Sequence, residues 1–371
     1  MKLGLFMMPM HPPGKPHAQS YDQDLETLIK VDELGFDEAW IGEHFTSAWE
    51  NIPAPDLMIA AALQRTQNIR LGTGVNCLPN HNPVVLAHRI AQLDQMAKGR
   101  FNWGIGSGGF PGDFELFRIN LTNGEQRTIT RDSVDLVLKV WEEAIAETDN
   151  GADGTERLVS ETDRWRFKLP QPTDWGLQVH MVPFQRPHPP IAVAGLTARS
   201  ETLVMAGERG WIPMSINFVP TATLRSHWEA VQAGAQRTGR TPQRSEWRIA
   251  RDIYVAETDE QARREVKAGG QAQVYLEYFF PLLRSQKQMY LFKTDQATPD
   301  EAITIDWLID NIWLVGSADT VAKKIRELHG QVGGFGGILP LTYDWGNQQE
   351  KNYRNMELMA TKVLPQVADL H

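Results

Sequence analysis

The sequence predicts an α/β protein built as a (β/α)8 barrel of the TIM type, interrupted by insertions. Short apolar runs typical of buried strands alternate with amphipathic helical stretches, which indicates strand–helix–strand units around a parallel sheet. Eight such runs occur along the 371 residues, at 2–8, 37–42, 69–75, 100–108, 190–195, 210–216, 247–256 and 335–341. Eight is the count of a closed barrel rather than of an open doubly wound sheet.

The helices between these strands are predicted from their ends and from their apolar spacing. After the third strand, Asn82 can cap a helix, Pro83 suits its first turn and Gly99 can end it. Apolar residues recur at helical spacing between these ends. Another helix is expected to begin near Pro55, and a long amphipathic helix is expected over 125–146.

The chain shows no linker that would divide it into halves, so we predict a single barrel domain over residues 1–371. Two stretches depart from the strand–helix rhythm and are interpreted as insertions. The first, near 147–189, is polar and then rich in proline. The second, near 272–312, is rich in aromatic residues and is expected to be helical in part.

Composition restricts the class of protein. The formal net charge of −9 argues against a surface for nucleic acid or for an anionic membrane. The single cysteine, Cys77, cannot form an internal disulfide, which fits the cytoplasm. No secretory leader is evident, and no apolar run approaches the ~18 residues of a membrane span. Sequence motifs for phosphate loops, nucleophilic serines and metal ligands are missing, so no metal site is predicted.

Titratable and polar residues stand where the predicted strands end. Glu43 and His44 close the second strand, Asn76 follows the third and Ser107 follows the fourth. In a barrel of this type the carboxyl ends of the strands form one face, and active sites lie there. The sequence therefore predicts a functional site at that face.

Several segments together resemble the bacterial luciferase-like flavin monooxygenases. They read "GFDEAWIGEHFT", "LGTGV", "NPVVLAHRIAQLDQMAKGRFNWGIGSG" and "GDFELF", and the likeness returns at "VGSADTVAKKI" near the end of the chain. It covers nearly the whole sequence and is strongest over residues 1–135. Within the family, "AWENIP" and "LPNHNPVVLA" are similar to monooxygenases that act on terpenes and on bicyclic terpenoid ketones.

The resemblance implies a barrel that binds reduced FMN (FMNH2) delivered by a separate, NAD(P)H-dependent flavin reductase. O2 would add to the flavin to give a C4a-peroxyflavin, which oxygenates a lipophilic small molecule of the terpenoid or cyclic ketone type. Baeyer–Villiger insertion, epoxidation and hydroxylation all stay open. The alternatives are a deazaflavin-dependent hydride-transfer enzyme and a flavin-binding subunit without catalysis. We also expect a homodimer.

The resemblance also suggests which residues carry the chemistry. His44 matches the family's catalytic histidine and would donate a proton to the peroxide or take one from the substrate. A histidine held only for structure is the alternative. Glu43 would point to the other side of an extended strand and is given a supporting role. Asp113 matches an acidic family position, and an exposed loop carboxylate is an equal alternative. Luciferases carry two histidines where this chain has His44 and Phe45, which argues against light emission.

One set of residues is expected to hold the flavin phosphate. Arg127 matches a family arginine that binds it, with Arg131 one turn later as the rival. Ser107 stands where the family has a further arginine, which leaves that part of the phosphate site open. The stretch "AGLTARS" would complete it through four residues, Ala194, Gly195, Thr197 and Ser200.

Three residues are expected beside the flavin ring. Gly74 and Val75 match a non-prolyl cis peptide that lies under the isoalloxazine in the family. Asn76 follows and would reach the polar edge of the ring.

Residues near 277–300 are expected to form a lid over the flavin, because they fall between the seventh and eighth strands and are too apolar to face water. A static helix pair at an oligomer interface is the alternative.

Overall fold

A closed parallel barrel lies at the centre of this computed structural model, which describes residues 1–150 and 157–370. The strands of the described chain, inside and outside the barrel, are β1 Lys2–Met7, β2 Glu38–Ile41, β3 Arg70–Thr73, β4 Asn76–Cys77, β5 Phe101–Gly106, β6 Val159–Glu161, β7 Arg166–Lys168, β8 Ile191–Gly195, β9 Ile212–Ser215, β10 Arg248–Arg251, β11 Ile253–Ala256, β12 Leu314–Ser317 and β13 Gly337–Pro340. In the described part of the chain, eight of them pair in parallel in the order β1–β2–β3–β5–β8–β9–β10–β13, and β13 pairs with β1. The predicted barrel is confirmed.

Helices surround the barrel and follow its strands. They are α1 His17–Glu33, α2 Pro55–Leu63, α3 Pro83–Ala97, α4 Pro111–Leu116, α5 Glu125–Asn150, α6 Glu201–Arg209, α7 Thr221–Arg237, α8 Asp259–Ala268, α9 Gly270–Val274, α10 Phe280–Ser285, α11 Ile305–Asn311, α12 Ala318–Val332, α13 Gln349–Leu358 and α14 Leu364–Val367. Asn82 caps α3 as predicted, since its side chain accepts hydrogen bonds from the N–H groups of Val84 and Val85. None of the described helices is both long and apolar enough to span a membrane.

Large side chains fill the interior of the barrel, and glycines on neighbouring strands leave the space for them. A Cβ atom at Gly72 would lie 2.6 Å from the ring of Trp40, so only glycine leaves room for the indole. The indole N–H donates to Glu38, which forms a buried ion pair with Arg248 at 2.9 Å. The lower barrel is therefore closed, and open space remains at the carboxyl ends of the strands.

The predicted strand 247–256 is wrong as a single element. The chain breaks at Asp252, so that β10 stays in the barrel whereas β11 leaves it and pairs with β12 outside. The carboxylate of Asp252 is fully buried and accepts hydrogen bonds from Asn217, Tyr275 and Tyr343. These donors come from three distant segments, so the apolar run alone shows no break.

The two predicted insertions differ in how far the structure describes them. Helix α5 runs into the first, residues 151–156 lie outside the described residues, and an antiparallel hairpin of β6 and β7 follows. The second contains α9, a π-helical turn at Tyr275–Phe279, α10 and α11. Its apolar side chains join a cluster that includes Phe6 and Trp40 at the upper end of the barrel. The second insertion therefore covers the carboxyl ends of the strands.

A buried charge cluster ties the loop after β1 to the loop after β13. Nδ1 of His11 lies 2.8 Å from Asp344, and Nε2 lies 3.0 Å from Asp24. Burial would lower the pKa of His11, but the two carboxylates raise it above the ordinary value. Lys15 also contacts Asp344 at 2.5 Å. The two acids therefore favour the protonated form of His11.

Candidate functional site

A cavity of about 370 Å³ opens at the carboxyl ends of the barrel strands, within the range of about 300–1,000 Å³ for cofactor and ligand sites. Its lining includes nine of the predicted site residues, namely Glu43, His44, Gly74, Val75, Ser107, Arg127, Ala194, Thr197 and Ser200. Asn76, Asp113 and Gly195 are not part of the lining. The site therefore lies where the strand order predicts it.

His44 stands on the loop after β2 and lies against the ring of Phe110, with 4.1 Å between the ring centroids. Its Nε2 is 3.0 Å from Oε2 of Glu50, and its Nδ1 is 4.0 Å from Oδ2 of Asp113. Burial would lower the pKa of His44, but Glu50, Asp113 and Glu43 raise it above the ordinary value. Nε2 is thus paired with Glu50, whereas Nδ1 is enclosed without a hydrogen-bond partner among the described residues.

Asp113 is buried on α4, so the alternative of an exposed loop carboxylate is wrong. Its carboxylate accepts hydrogen bonds from the backbone N–H of Phe45 and from the hydroxyl of Thr46. Asp113 thus holds the chain beside His44 and adds negative charge behind the imidazole.

Glu43 is almost fully buried and organises the loop after β3. Its carboxylate lies 2.8 Å from Nε2 of His81 and accepts hydrogen bonds from the amide of Asn76 and the backbone N–H of Cys77. The amide oxygen of Asn76 accepts a bond from Trp103, so both ends of that side chain are engaged. Glu43 therefore holds the loop after β3, and its supporting role in catalysis stays a prediction. Asn76 lies behind the cavity wall rather than in it.

The peptide bond between Gly74 and Val75 is cis, as the resemblance implied. Val75 contributes its side chain to the cavity wall. A Cβ atom at Gly106 would lie 2.6 Å from Cγ2 of Val75, so the glycine at the end of β5 makes room for it. Val75 thus forms an apolar shelf in the cavity wall.

Hydroxyl groups and one arginine form the polar part of the cavity lining. Thr130 donates to the hydroxyl of Ser107, and Ser200 precedes α6, whose first turn carries no side-chain cap. The N-terminus of a nine-residue helix left in this way favours an anion. Arg127 lies at the rim, paired with Glu201 at 2.8 Å.

The backbone of the loop before α6 is held from below by helix α7. Nε2 of His227 lies 3.0 Å from the carbonyl oxygen of Thr197, and Nδ1 lies 2.9 Å from the hydroxyl of Ser215. Burial lowers the pKa of His227 to about 4, so the imidazole is neutral and has one N–H to donate. Because Ser215 accepts from Trp247 and donates to Nδ1, Nε2–H is left to donate to Thr197.

A model of the luciferase-like monooxygenase family matches residues 1–333. The chain belongs to this family. Among curated relatives, 2,5-diketocamphane 1,2-monooxygenase 1 of Pseudomonas putida is 32% identical and 99% of each chain is covered. Limonene 1,2-monooxygenase of Rhodococcus erythropolis is 31% identical, with 98% of this chain and 85% of that one covered.

A solved structure gives the same assignment. It is the oxygenating constituent of 3,6-diketocamphane monooxygenase from Pseudomonas putida, described as a type II Baeyer–Villiger monooxygenase in complex with FMN. It superimposes with a TM-score of 0.88 at 30% identity and covers 98% of each chain. An F420-dependent secondary alcohol dehydrogenase, 18% identical with a TM-score of 0.69, shares the fold. The present protein is thus a luciferase-like monooxygenase, an oxidoreductase.

Sequence reasoning missed two residues of this luciferase-like site. Glu50 is the nearest carboxylate to His44, and His81 pairs with Glu43. Both occur in stretches that resemble terpenoid monooxygenases, "AWENIP" and "LPNHNPVVLA", and that was the only signal for them. Their roles depend on loops that meet only in the folded barrel.

The second insertion supplies the remaining wall of the cavity. Phe279, Leu282 and Leu283 line it together with Gln286 and Gln288. Phe279 and Leu283 are 3% and 4% exposed, so they pack on the barrel and not against a partner chain. This placement agrees with the expected lid, and the movement of the segment stays a prediction.

Proposed function

We propose that this protein is the oxygenating component of a two-component, FMN-dependent monooxygenase that acts on a lipophilic cyclic ketone. The observation that carries the proposal is one cavity whose lining combines hydroxyl groups and an arginine, apolar side chains and the imidazole of His44. The diketocamphane monooxygenases among its relatives support the same substrate class.

The residues present fit FMN. Hydroxyl groups of Ser107, Thr197 and Ser200 together with Arg127 match the needs of a phosphate dianion, and the open N-terminus of α6 adds a positive dipole end. The shelf formed by Val75 suits an apolar aromatic ring system. Bound reduced FMN would supply the two electrons and the activation of O2.

The protein side of the reaction is exclusion of water and control of one proton. Phe279, Leu282 and Leu283 cover the cavity with apolar surface, which keeps water from the reactants. His44 lines the cavity, and the carboxylate of Glu50, 3.0 Å from its Nε2, favours the protonated imidazole by raising its pKa.

A protonated His44 would favour a ketone over an alkene as the substrate. A cationic donor stabilises the negative charge that develops on a carbonyl oxygen when a nucleophile adds to the carbon. An alkene has no oxygen for this donor to bind. We therefore infer Baeyer–Villiger insertion, with an ester or lactone as the product.

The test reconstitutes the protein with FMN, a flavin reductase, NADH and O2. A bicyclic ketone and a cyclic alkene are offered in separate reactions, and products are measured by mass spectrometry with 18O2. Incorporation of one labelled oxygen into a lactone is the expected result. Faster epoxidation of the alkene would overturn the substrate class. Hydride transfer with a reduced deazaflavin and no O2 uptake would overturn the monooxygenase assignment for this chain.

The control is His44→Gln in the same assay. It keeps a polar side chain at the position but cannot carry the proton. We expect normal oxidation of NADH with little lactone, because O2 would reoxidise the reduced flavin and be released as hydrogen peroxide.

A further inference from the structure

The second insertion reaches the loop of His44 through one tyrosine. Tyr278 lies in the π-helical turn, and its hydroxyl donates to Oε1 of Glu50 at 2.8 Å. The same hydroxyl accepts a hydrogen bond from Ser47 at 2.9 Å. Its ring stacks on Trp49 with 5.7 Å between the centroids and an angle of 16° between the planes.

Glu50 stands between Tyr278 and His44. Its side chain is 1% exposed, Oε1 is bound by Tyr278, and Oε2 lies 3.0 Å from Nε2 of His44. Among the described residues, Tyr278 is the only hydrogen-bond donor to this carboxylate besides His44. A buried carboxylate depends strongly on each such donor.

We propose that Tyr278 is a positioning residue, whose hydroxyl fixes Glu50 and so connects the insertion over the cavity to the proton on His44. The contact exists only while the insertion lies on the barrel, since Glu50 and Tyr278 are more than 200 positions apart in the chain. Closing the insertion therefore changes the environment of His44, and this happens at the step when the reactants are enclosed.

The direction of the change follows from the hydrogen bond. A donor on Glu50 stabilises its negative charge, most of all when His44 is neutral and offers no compensation. The hydroxyl therefore limits how tightly His44 holds its proton, and enclosure by the insertion acts in the same direction. A closed insertion makes the proton easier to give up.

The other ionisable groups near His44 do not depend on the insertion. Asp113, which lies on α4, accepts a hydrogen bond from a backbone N–H group of another segment, and Glu43 is paired with His81. Burial raises the pKa of Cys77, and the charges of Glu43, Asp113 and Glu50 raise it further. Burial and the charge of Glu50 raise the pKa of Tyr278, which keeps its proton and remains a donor.

The inference deepens the proposed function, and its test uses the protein without FMN so that the two can fail separately. The variant is Tyr278→Phe, which keeps the ring on Trp49 and removes only the hydroxyl. The titration of His44 is followed by NMR with labelled histidine, and His44→Gln assigns its signal among the 10 histidines. The matched control is Tyr275→Phe. It removes another hydroxyl of the same π-helical turn, but that hydroxyl donates to Asp252 and not to Glu50.

We expect the titration midpoint of His44 to rise by about 0.5 to 1 pH unit in Tyr278→Phe, the effect of one hydrogen bond, and to stay unchanged in Tyr275→Phe. An unchanged or lowered midpoint in folded Tyr278→Phe overturns the inference. If that variant does not fold, Glu50→Gln gives the second test, because loss of the carboxylate must lower the midpoint. The alkaline limb of the pH profile of turnover should shift together with the NMR midpoint of His44. If only the NMR midpoint shifts, the link between Tyr278 and His44 stands, but the proton role of His44 in the proposed function fails.

Discussion

Replacement of Arg127 by alanine tests the anion-binding end of the cavity. In the free protein, Arg127 is paired with Glu201 at 2.8 Å, and the two side chains are 60% and 69% exposed. An exposed ion pair of this kind contributes only about 0–1 kcal/mol. Little is therefore lost when the guanidinium leaves Glu201 for the FMN phosphate.

The expected loss of affinity follows from the difference between the bond of Arg127 to the FMN phosphate and its ion pair with Glu201. A hydrogen bond to a charged group contributes about 1.5–3 kcal/mol. Subtracting about 0.5 kcal/mol for the exposed pair leaves about 1–2.5 kcal/mol. At 1.4 kcal/mol for each factor of ten, Arg127→Ala should weaken binding of reduced FMN roughly 5- to 60-fold.

The assay is an anaerobic titration of the flavin-free protein with reduced FMN. Arg131→Ala is the matched control, since Arg131 is exposed one turn further along α5 and does not line the cavity. We expect its affinity to stay within about twofold, because an exposed charge away from the ligand is screened by salt.

A substitution of Glu201 should have the opposite effect on the affinity for reduced FMN. Its carboxylate lines the same end of the cavity, so Glu201→Gln should tighten binding by roughly threefold at low salt. Equal affinities for Arg127→Ala and Arg131→Ala, with no gain from Glu201→Gln, would refute the placement of the phosphate.

Three further predictions concern catalysis, closure and stability. His44→Ala should bind reduced FMN normally but lose roughly 10²-fold in product formation, measured as coupled yield; an unchanged yield would make His44 structural. Limited proteolysis should cut the free protein within 284–300, and FMN with substrate should suppress the cut; protection that follows protein concentration alone would indicate an oligomer interface instead. The raised pKa of His11 means that its contribution to stability is full below about pH 6.5 and falls as pH rises through the folded pKa. The difference in free energy of unfolding between the native protein and His11→Asn, measured in urea, should thus be larger at pH 6 than at pH 9; equal values would contradict the charged pairing with Asp24 and Asp344.

Local chemistry made the barrel predictable. Buried strands of a parallel sheet are apolar on both faces, so they show as short continuous runs between helices. The ends of α3 were visible because Asn82 acts on N–H groups two and three residues away. His44 was placed at the mouth of the barrel because the end of a strand is a local property.

The contacts of the site were decided by tertiary structure. Glu50 approaches Tyr278 across 228 positions, and Asp113 reaches Thr46 across 67. A sequence shows that a carboxylate exists but not which donors surround it once loops from different strands meet. The same reason explains Asn76, which lies next to the cavity in sequence but whose amide is engaged by Glu43 and Trp103.

Position along the strands was determined by the sequence alone, because continuous apolar runs mark the strands and the residues after each run mark its end. The charge state of the site was decided only by the fold. In the folded protein, burial would lower the pKa of His44, but the charges of Glu50, Asp113 and Glu43 outweigh this effect and raise it above the value of a free side chain. That balance depends on distances of 3–4 Å between separate loops, and such distances come into existence when the barrel closes.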